Sequence, residues 1–514
     1  MKTISTILLI TIVGVVTFFS DPILSDQHTK SPQYQPNWES LKTYETPEWF
    51  RDAKLGIFIH WGPYSVPAFG SEWYPRFMYQ DSINWGSSGE IKGYGPSWVY
   101  THHQKKYGDP GQFGYKDFIP MFTADSFNPK EWVSLFKEAG AKYIVPVAEH
   151  HDAFAMYNSK HTKWNSVNMG PKRDVLGELI QEGRAQGLKV GASSHFAFNW
   201  DYFNKDEKFD TSNPIYQELY GRDHEPYSPA DKEFLELWWD RTIDIVDNYQ
   251  PDILWFDFKI DKEEYRPYHP KLAAYYYNKG IEWNKEVVLQ NKNFDNFESF
   301  PKGTNVLDIE RGKLSGINKF PWQTDTSIGK NSWCYTSNWI SKEPNTIVDD
   351  LIDIVSKNGN LLLNVGPKSD GTIPNDQIIV LRELGTWLKV NGEAIYDTRP
   401  WVIFGEGPTQ VSTGHHTEND NTALTSDDFR FTSKDDFLYA IAMDISSDDT
   451  YKIVSLGNPN KHLESNAIRS ISQLGSDVEI AWEQTAEGLI IKADQSTEGK
   501  YACVFKISLE TQGS

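Results

Sequence analysis

Five apolar stretches of the chain each run into groups able to bind or move protons. His60 ends the first; Glu149, His150, His151 and Asp152 follow the second; His195 ends the third, Asp257 the fourth and Glu310 a later one. A single polar strand end is ordinary. Five in series bring imidazoles and two carboxylates to one mouth if the strands run parallel around a barrel, where C-terminal strand ends converge. Two chemistries use such a set. Metal-assisted hydrolysis takes His and Asp ligands at barrel strand ends, although His150 and His151 are adjacent, and consecutive residues of a strand point to opposite faces. Glycoside hydrolysis uses two carboxylates around the scissile bond, with neutral His and Trp holding the sugar. The aromatic content of 14%, with 19 Trp and 26 Tyr, suits the second, because sugar faces stack on flat apolar rings with a polar handle.

The elements that would position these groups follow from periodicity. Short β-branched runs at 55–59, 143–147, 189–193, 253–256, 287–289, 306–309 and 361–363 alternate with helical periods at 129–139, 174–185, 229–248, 345–356 and 376–391. Alternating βα units over about 350 residues close most economically as a right-handed (β/α)8-type barrel. A doubly wound sheet would announce itself with a Gly-rich turn after the first strand, and none is present. Residues 80–114, rich in Gly, Tyr, Trp and Ser, read as a long loop on the functional face. Beyond Pro400 the pattern changes to short alternating runs at 437–443, 451–456, 478–482, 488–493 and 501–507, separated by turn formers, which predicts an antiparallel β-sandwich. The expected division is a leader over 1–25, a catalytic barrel over 26–400 and a C-terminal sandwich over 401–514.

Composition excludes other classes. A net charge of -21 speaks against nucleic acid, whose phosphates require a basic surface. Lys2, the apolar stretch 4–19 and the small residues that follow have the form of a signal peptide, so the mature protein is expected outside the cytoplasm, periplasmic or secreted, with no lasting membrane insertion. Cys334 and Cys503 are too few for a disulfide framework. No cofactor or resident metal is expected, and nothing in the sequence specifies an oligomeric state.

Several longer motifs carry a resemblance. Gly56-Ile-Phe-Ile-His60-Trp-Gly, Glu72-Trp-Tyr-Pro-Arg76, His150-His-Asp152, Leu254-Trp-Phe-Asp257, Asn360-Leu-Leu-Leu-Asn-Val-Gly-Pro367 and Trp387-Leu-Lys-Val-Asn-Gly-Glu393 occur in the order seen in the α-L-fucosidases of glycoside hydrolase family 29. The resemblance spans about 49–401. It implies a fucosidase barrel with a trailing sandwich, retention of anomeric configuration, and a fucosylated oligosaccharide or polysaccharide as substrate. Asp257 matches the family nucleophile. Glu310 stands where the acid/base is expected, and Glu298 is the second candidate. His60, Glu72, Trp73, His150 and His151 match sugar-binding positions, with His195 taking a similar role and Trp255 and Trp333 walling the pocket against the C5 methyl group. An apolar wall discriminates a methyl group by only ~1 to 3 kcal/mol, which leaves an α-L-galactoside as an alternative substrate. A carbohydrate-binding protein on an inactive barrel is the non-enzymatic alternative. Two departures stand out: His195 falls where many members carry a Tyr-containing segment, and Gln290-Asn-Lys-Asn293 falls where many carry an Arg, so that Lys292 is the available positive group.

Overall fold

The computed structural model describes residues 33–80, 96–294, 298–420, 422–459, 462–463, 468–494 and 500–509. The leader expected over 1–25 lies outside them. Eight parallel strands close a barrel in sequence order: β1 (Leu55–Ile59), β2 (Tyr143–Glu149), β3 (Lys189–Ser194), β4 (Ile253–Phe256), β5 (Val288–Lys292), β6 (Val306–Glu310), β7 (Trp322–Ser327) and β8 (Gly359–Val365). β1 pairs with both β2 and β8, which completes the ring.

Seven of these strands coincide with the apolar runs. The eighth, β7, reads Trp-Gln-Thr-Asp-Thr-Ser and has no apolar run at all, yet every residue in it is buried. Its polarity is matched from inside the barrel: the Tyr143 hydroxyl donates to Gln323 Oε1 at 2.7 Å, and Gln323 Nε2 donates to Asp308 Oδ2 at 2.5 Å. Buried polar groups paired in this way avoid the desolvation penalty that hydrophobic patterning would otherwise guard against.

Strand alternation sorts the side chains. Phe58, Tyr143, Val145, Ile253, Trp255, Val288, Val306 and Leu362 pack together inside the barrel, while their neighbours Ile57, Ile144, Leu254, Phe256 and Leu289 join the outer core beneath the helices. The same period carries His60, Asp257, Lys292 and Glu310 inward at the C-terminal strand ends. The outer helices begin where the sequence caps them. Asn128 accepts from the Glu131 N–H, Asp174 from Gly177 and Asp231 from Phe234, starting the helices Pro129–Glu138, Val175–Ala185 and Lys232–Tyr249. The stretch expected as one loop over 80–114 is not all loop: Pro96–Lys106 is helical, and Val99 and His103, four residues apart, are buried on its inner face. Among the described residues no helix is long and apolar enough to cross a membrane.

The C-terminal strands form a five-stranded sheet in the order β13 (Ile468–Gln473), β16 (Cys503–Leu509), β11 (Phe437–Ala442), β10 (Phe429–Lys434), β9 (Arg399–Glu406), and a three-stranded sheet β12 (Thr450–Ile453), β15 (Gly488–Lys492), β14 (Ala481–Thr485). Phe429, Phe431, Leu438, Tyr451, Ile453, Leu489, Ile491 and Phe505 form the core between them, making a sandwich. The opposite face of the larger sheet shares the barrel core through Tyr439, Ile441, Met443 and Val504. At that junction Arg430 Nε lies 2.6 Å from Asp353 Oδ1, on the helix Pro344–Ser356.

Candidate active site

Asp257 follows β4 directly, and the inward set Ile253, Trp255, Asp257 gives it the barrel mouth. Its Oδ2 meets His195 Nδ1 at 3.0 Å and His151 Nε2 at 3.3 Å; its Oδ1 meets Lys292 Nζ at 3.3 Å and carries no hydrogen bond. Burial alone would raise this carboxyl. The Lys292 charge and the two histidines outweigh it and hold the carboxyl well below its ordinary range, so Asp257 is an anion.

Lys292, at the end of β5, is the hub. Its ammonium lies 2.8 Å from Glu310 Oε2 and 3.0 Å from Asp325 Oδ2 as well as touching Asp257, and it sits over the faces of Trp255 and Trp333 at 5.0 and 5.4 Å. Burial opposes its charge, but Asp257, Asp325 and Glu310 together hold it well above the ordinary lysine range. Asp325 is pushed the other way, up, by burial and by Asp308 on the adjacent strand β6. A single ammonium touching both Asp257 and Glu310 limits the gap between their nearest oxygens to about 6 Å, in line with the ~5 to 5.5 Å of a retaining pair. Glu298, by contrast, is exposed and lines a separate cavity of about 500 Å³ with Asn293, Lys302 and Asn318.

The imidazoles surround this ionic centre. Asn364 fixes His60: its Oδ1 accepts from both the His60 backbone N–H at 3.0 Å and Nδ1 at 2.8 Å, while its Nδ2 donates to the Trp333 carbonyl at 2.7 Å. The proton therefore sits on His60 Nδ1, leaving Nε2 as an acceptor. His195 is held by Asp257 on one nitrogen and the Ser193 hydroxyl, at 3.1 Å, on the other. Burial drives it down to about 4, despite Asp257, so the ring is neutral above that pH. His60 and His150 are likewise driven well below the usual histidine range, first by burial. His150 Nδ1 and the Tyr64 hydroxyl, 5.1 Å apart ring to ring, are buried without a hydrogen-bond partner. Such atoms are what a polyhydroxylated ligand satisfies.

His150 and His151 do not split to opposite faces. β2 ends at Glu149, and the pair lies in the turn beyond it, so strand alternation no longer applies: the two rings are 4.4 Å apart and both border the site. It is Glu149 that is turned away. A register shift between Val147 and Glu149 sends its side chain outward to Arg241 Nε at 2.7 Å and the Ser194 hydroxyl at 2.7 Å, a buried structural pair. One objection to a metal thereby falls, since donor atoms of His60, His150 and His195, and of His151, His195 and Asp257, lie within 4.8 Å of one another. In the second group, however, Asp257 Oδ1 already meets Lys292, whose ammonium opposes a second cation at the same carboxylate.

Glu72 is buried, and its Oε2 accepts from the Trp333 N–H at 3.0 Å and the Ser332 hydroxyl at 3.3 Å; burial raises its carboxyl. It thus holds Trp333, whose ring lies 5.1 Å from His60. Trp73 stands 5.4 Å from His151 and 6.3 Å from Phe258, forming the outer wall. Trp255 is the floor: fully buried, with its N–H on Asp308 at 3.1 Å and its ring 5.1 Å from His195. Unlike Glu149 and Glu298, the residues Asp257, Glu310, His60, Glu72, Trp73, His150, His151, His195, Trp255 and Trp333 fall in or around this one site. Asp325, Phe258, His415 and His416 do so as well without having been singled out. Asp325 lay hidden in a strand with no hydrophobic run, and the two histidines belong to the segment after β9.

The chain matches the family described as alpha-L-fucosidase over residues 23–393. It is 31% identical over 473 residues to the tissue alpha-L-fucosidase of Rattus norvegicus, covering 91% of this chain and 90% of that one, and 34% identical over 378 residues to the plasma alpha-L-fucosidase of Pongo abelii, covering 72% and 73%. Among solved structures, the Thermotoga maritima alpha-fucosidase in complex with fucose superimposes with a TM-score of 0.71 at 30% identity, over 92% of this chain and 100% of that one. The barrel, the ionic centre at its mouth and these similarities agree, and the chain belongs to the α-L-fucosidase family of glycoside hydrolases.

Proposed function

We propose that this protein removes terminal α-L-fucosyl residues from glycans by double displacement with retention. The observation that carries the reading is Lys292, which joins Asp257 and Glu310 across a histidine-lined pocket and keeps their nearest oxygens within about 6 Å, a gap that admits a retaining pair. Asp257 Oδ1, the oxygen without a hydrogen bond, attacks the anomeric carbon as the bond to the leaving oxygen breaks, while Oδ2 stays anchored by His151 and His195. Glu310 gives its proton to the leaving oxygen. The product of this step is a fucosyl ester of Asp257. Glu310, now a carboxylate, takes a proton from water as the water oxygen attacks the same carbon, releasing fucose and restoring both groups.

Lys292 stabilises the Asp257 anion before attack, and the neutral histidines and the unsatisfied polar atoms of His150 and Tyr64 bind hydroxyls. Trp333, beside His60, supports an apolar face for the C5 methyl group; the ratio of rates on aryl α-L-fucoside and aryl α-L-galactoside measures that face. The leader-like sequence over 1–25 supports export, and mass spectrometry of protein recovered outside the cell checks it, a mature N-terminus near residue 26 being expected.

Replacing the acid/base separates the two glutamates. Glu310→Ala should lower kcat/KM on a natural oligosaccharide by about 10²- to 10⁴-fold while an activated aryl fucoside loses far less, because a good leaving group needs no proton. The same pattern in Glu298→Ala, with Glu310→Ala normal, would transfer the role.

A further inference from the structure

The barrel alone does not complete the surroundings of Glu310. Residues 414–418, after β9, lie along the end of β6. The His416 N–H donates to the Glu310 carbonyl at 2.8 Å, the Glu310 N–H donates to His415 Nδ1 at 3.0 Å, and the Gly414 and Glu418 N–H groups donate to the Lys313 and Arg311 carbonyls at 2.8 and 3.0 Å. The approach is so close that a Cβ on Gly312 would fall 1.7 Å from the Gly414 oxygen. Glu418 locks the segment through Arg311 at 2.5 Å and Lys342 at 2.7 Å.

This docking sets His416 beside the carboxyl, with Nδ1 4.0 Å from Glu310 Oε1 and 56% of the side chain exposed. Phe294, 37% exposed, lies parallel to it, with planes 7° apart and centroids 5.6 Å apart. Phe294 in turn meets Phe258 edge to face at 6.0 Å, and Phe258 meets His151, a partner of Asp257, at 5.3 Å. An aromatic path thus leads from the ionic centre to two parallel, offset and exposed rings next to Glu310. A leaving oxygen protonated by Glu310 is bonded to the next sugar, which must therefore lie within about one ring's width of that carboxyl. We propose that Phe294 and His416 form the platform on which this leaving-group pyranose stacks, a subsite built jointly by Phe294 just after β5 and the segment after β9. The proposal rests on the function proposed above. Its ligand is a neutral hexose or N-acetylhexosamine ring, whose C–H face matches two parallel rings.

The test compares α-L-fucosyl fluoride, whose leaving group has no ring, with the fucosylated oligosaccharide that the wild type cleaves fastest. Phe294→Ala and His416→Ala should keep kcat/KM on the fluoride within about twofold and lose about tenfold or more on the oligosaccharide. His416→Phe, which keeps a flat ring without an imidazole, should restore most of the oligosaccharide rate. Equal losses on both substrates, no loss on either, or His416→Phe no better than His416→Ala would overturn the platform. A wild type that cleaves its oligosaccharide while turning over fucosyl fluoride with inversion contradicts the retaining mechanism but leaves the platform standing on the selective loss. A wild type inert toward both contradicts both readings.

Discussion

Asp257 takes its partners from nearby strand ends of the barrel: His195 just after β3, His151 from the turn after β2 and Lys292 from β5. Glu310, on the other side of Lys292, is held at its backbone by His415 and His416, more than a hundred residues further along the chain, and its side chain is 13% exposed against 7% for Asp257. The difference suits the two tasks proposed for them. A group that must stay ionised benefits from a dry, fixed set of donors. A group that must give up and regain a proton in each cycle needs access to water and a support that leaves its oxygens less committed.

Removing Lys292 strikes both sides, so it carries the largest expected effect. Lys292→Met should lower kcat/KM about 10²- to 10³-fold. Because Lys292 is the main influence holding the Asp257 carboxyl down, its loss should also move the acid limb of the kcat/KM profile to higher pH. Lys292→Arg should restore that limb. An unmoved acid limb in Lys292→Met would show that the lysine does not set the ionisation of Asp257.

Next comes a change confined to the Asp257 side. His195→Phe removes one charge-assisted hydrogen bond, worth ~1.5 to 3 kcal/mol, and should lower kcat/KM on activated and natural fucosides alike by about tenfold to a hundredfold. Since His195 is neutral above about pH 4, the loss should be constant from pH 5 to 8. A loss confined to natural substrates would place His195 on the leaving-group side and blur the comparison.

A third change tests the remote support of Glu310. Burial raises Glu418, but Arg311 and Lys342 outweigh it and hold it down to about 2. A carboxyl lowered on folding adds stability in full above its unfolded value of about 4.5 and loses it as pH falls toward 2, amounting to roughly 3 kcal/mol. Glu418→Gln should therefore lower Tm at pH 6 and flatten the dependence of Tm on pH between about 4.5 and 2. Equal slopes for the two proteins would mean that the segment is held by other contacts. The smallest effect is expected from reductant: Cys334 and Cys503 are both buried free thiols, so dithiothreitol should leave Tm unchanged, and a fall would reveal a disulfide.

The legibility of the two sides in the sequence follows the same division. Asp257, His60 and His195 each end an apolar run, so hydrophobic periodicity locates them and period-two alternation aims them inward. Glu310 was visible as a strand end, but its supports were not. β7 is stabilised by pairing of buried polar groups rather than by hydrophobic transfer, which no apolar pattern reports. The His415-His416 pair sits between two sandwich strands with only turn formers around it, and its partner lies across the fold. The helix Pro96–Lys106 escaped because Gly, Ser and Trp before it read as loop. Glu149 misled in the opposite direction, a strand-end acid that a register shift turns outward to Arg241.

The central claim is that Asp257 forms a covalent bond to the sugar, and Asp257→Gly tests it most directly. The variant should lose at least about 10³-fold in turnover of an aryl α-L-fucoside, and added azide should restore part of it by occupying the space of the missing carboxylate. Azide entering from that face yields the β-L-fucosyl azide, which NMR identifies. Undiminished turnover in Asp257→Gly, or rescue that gives only the α-azide, would contradict the account.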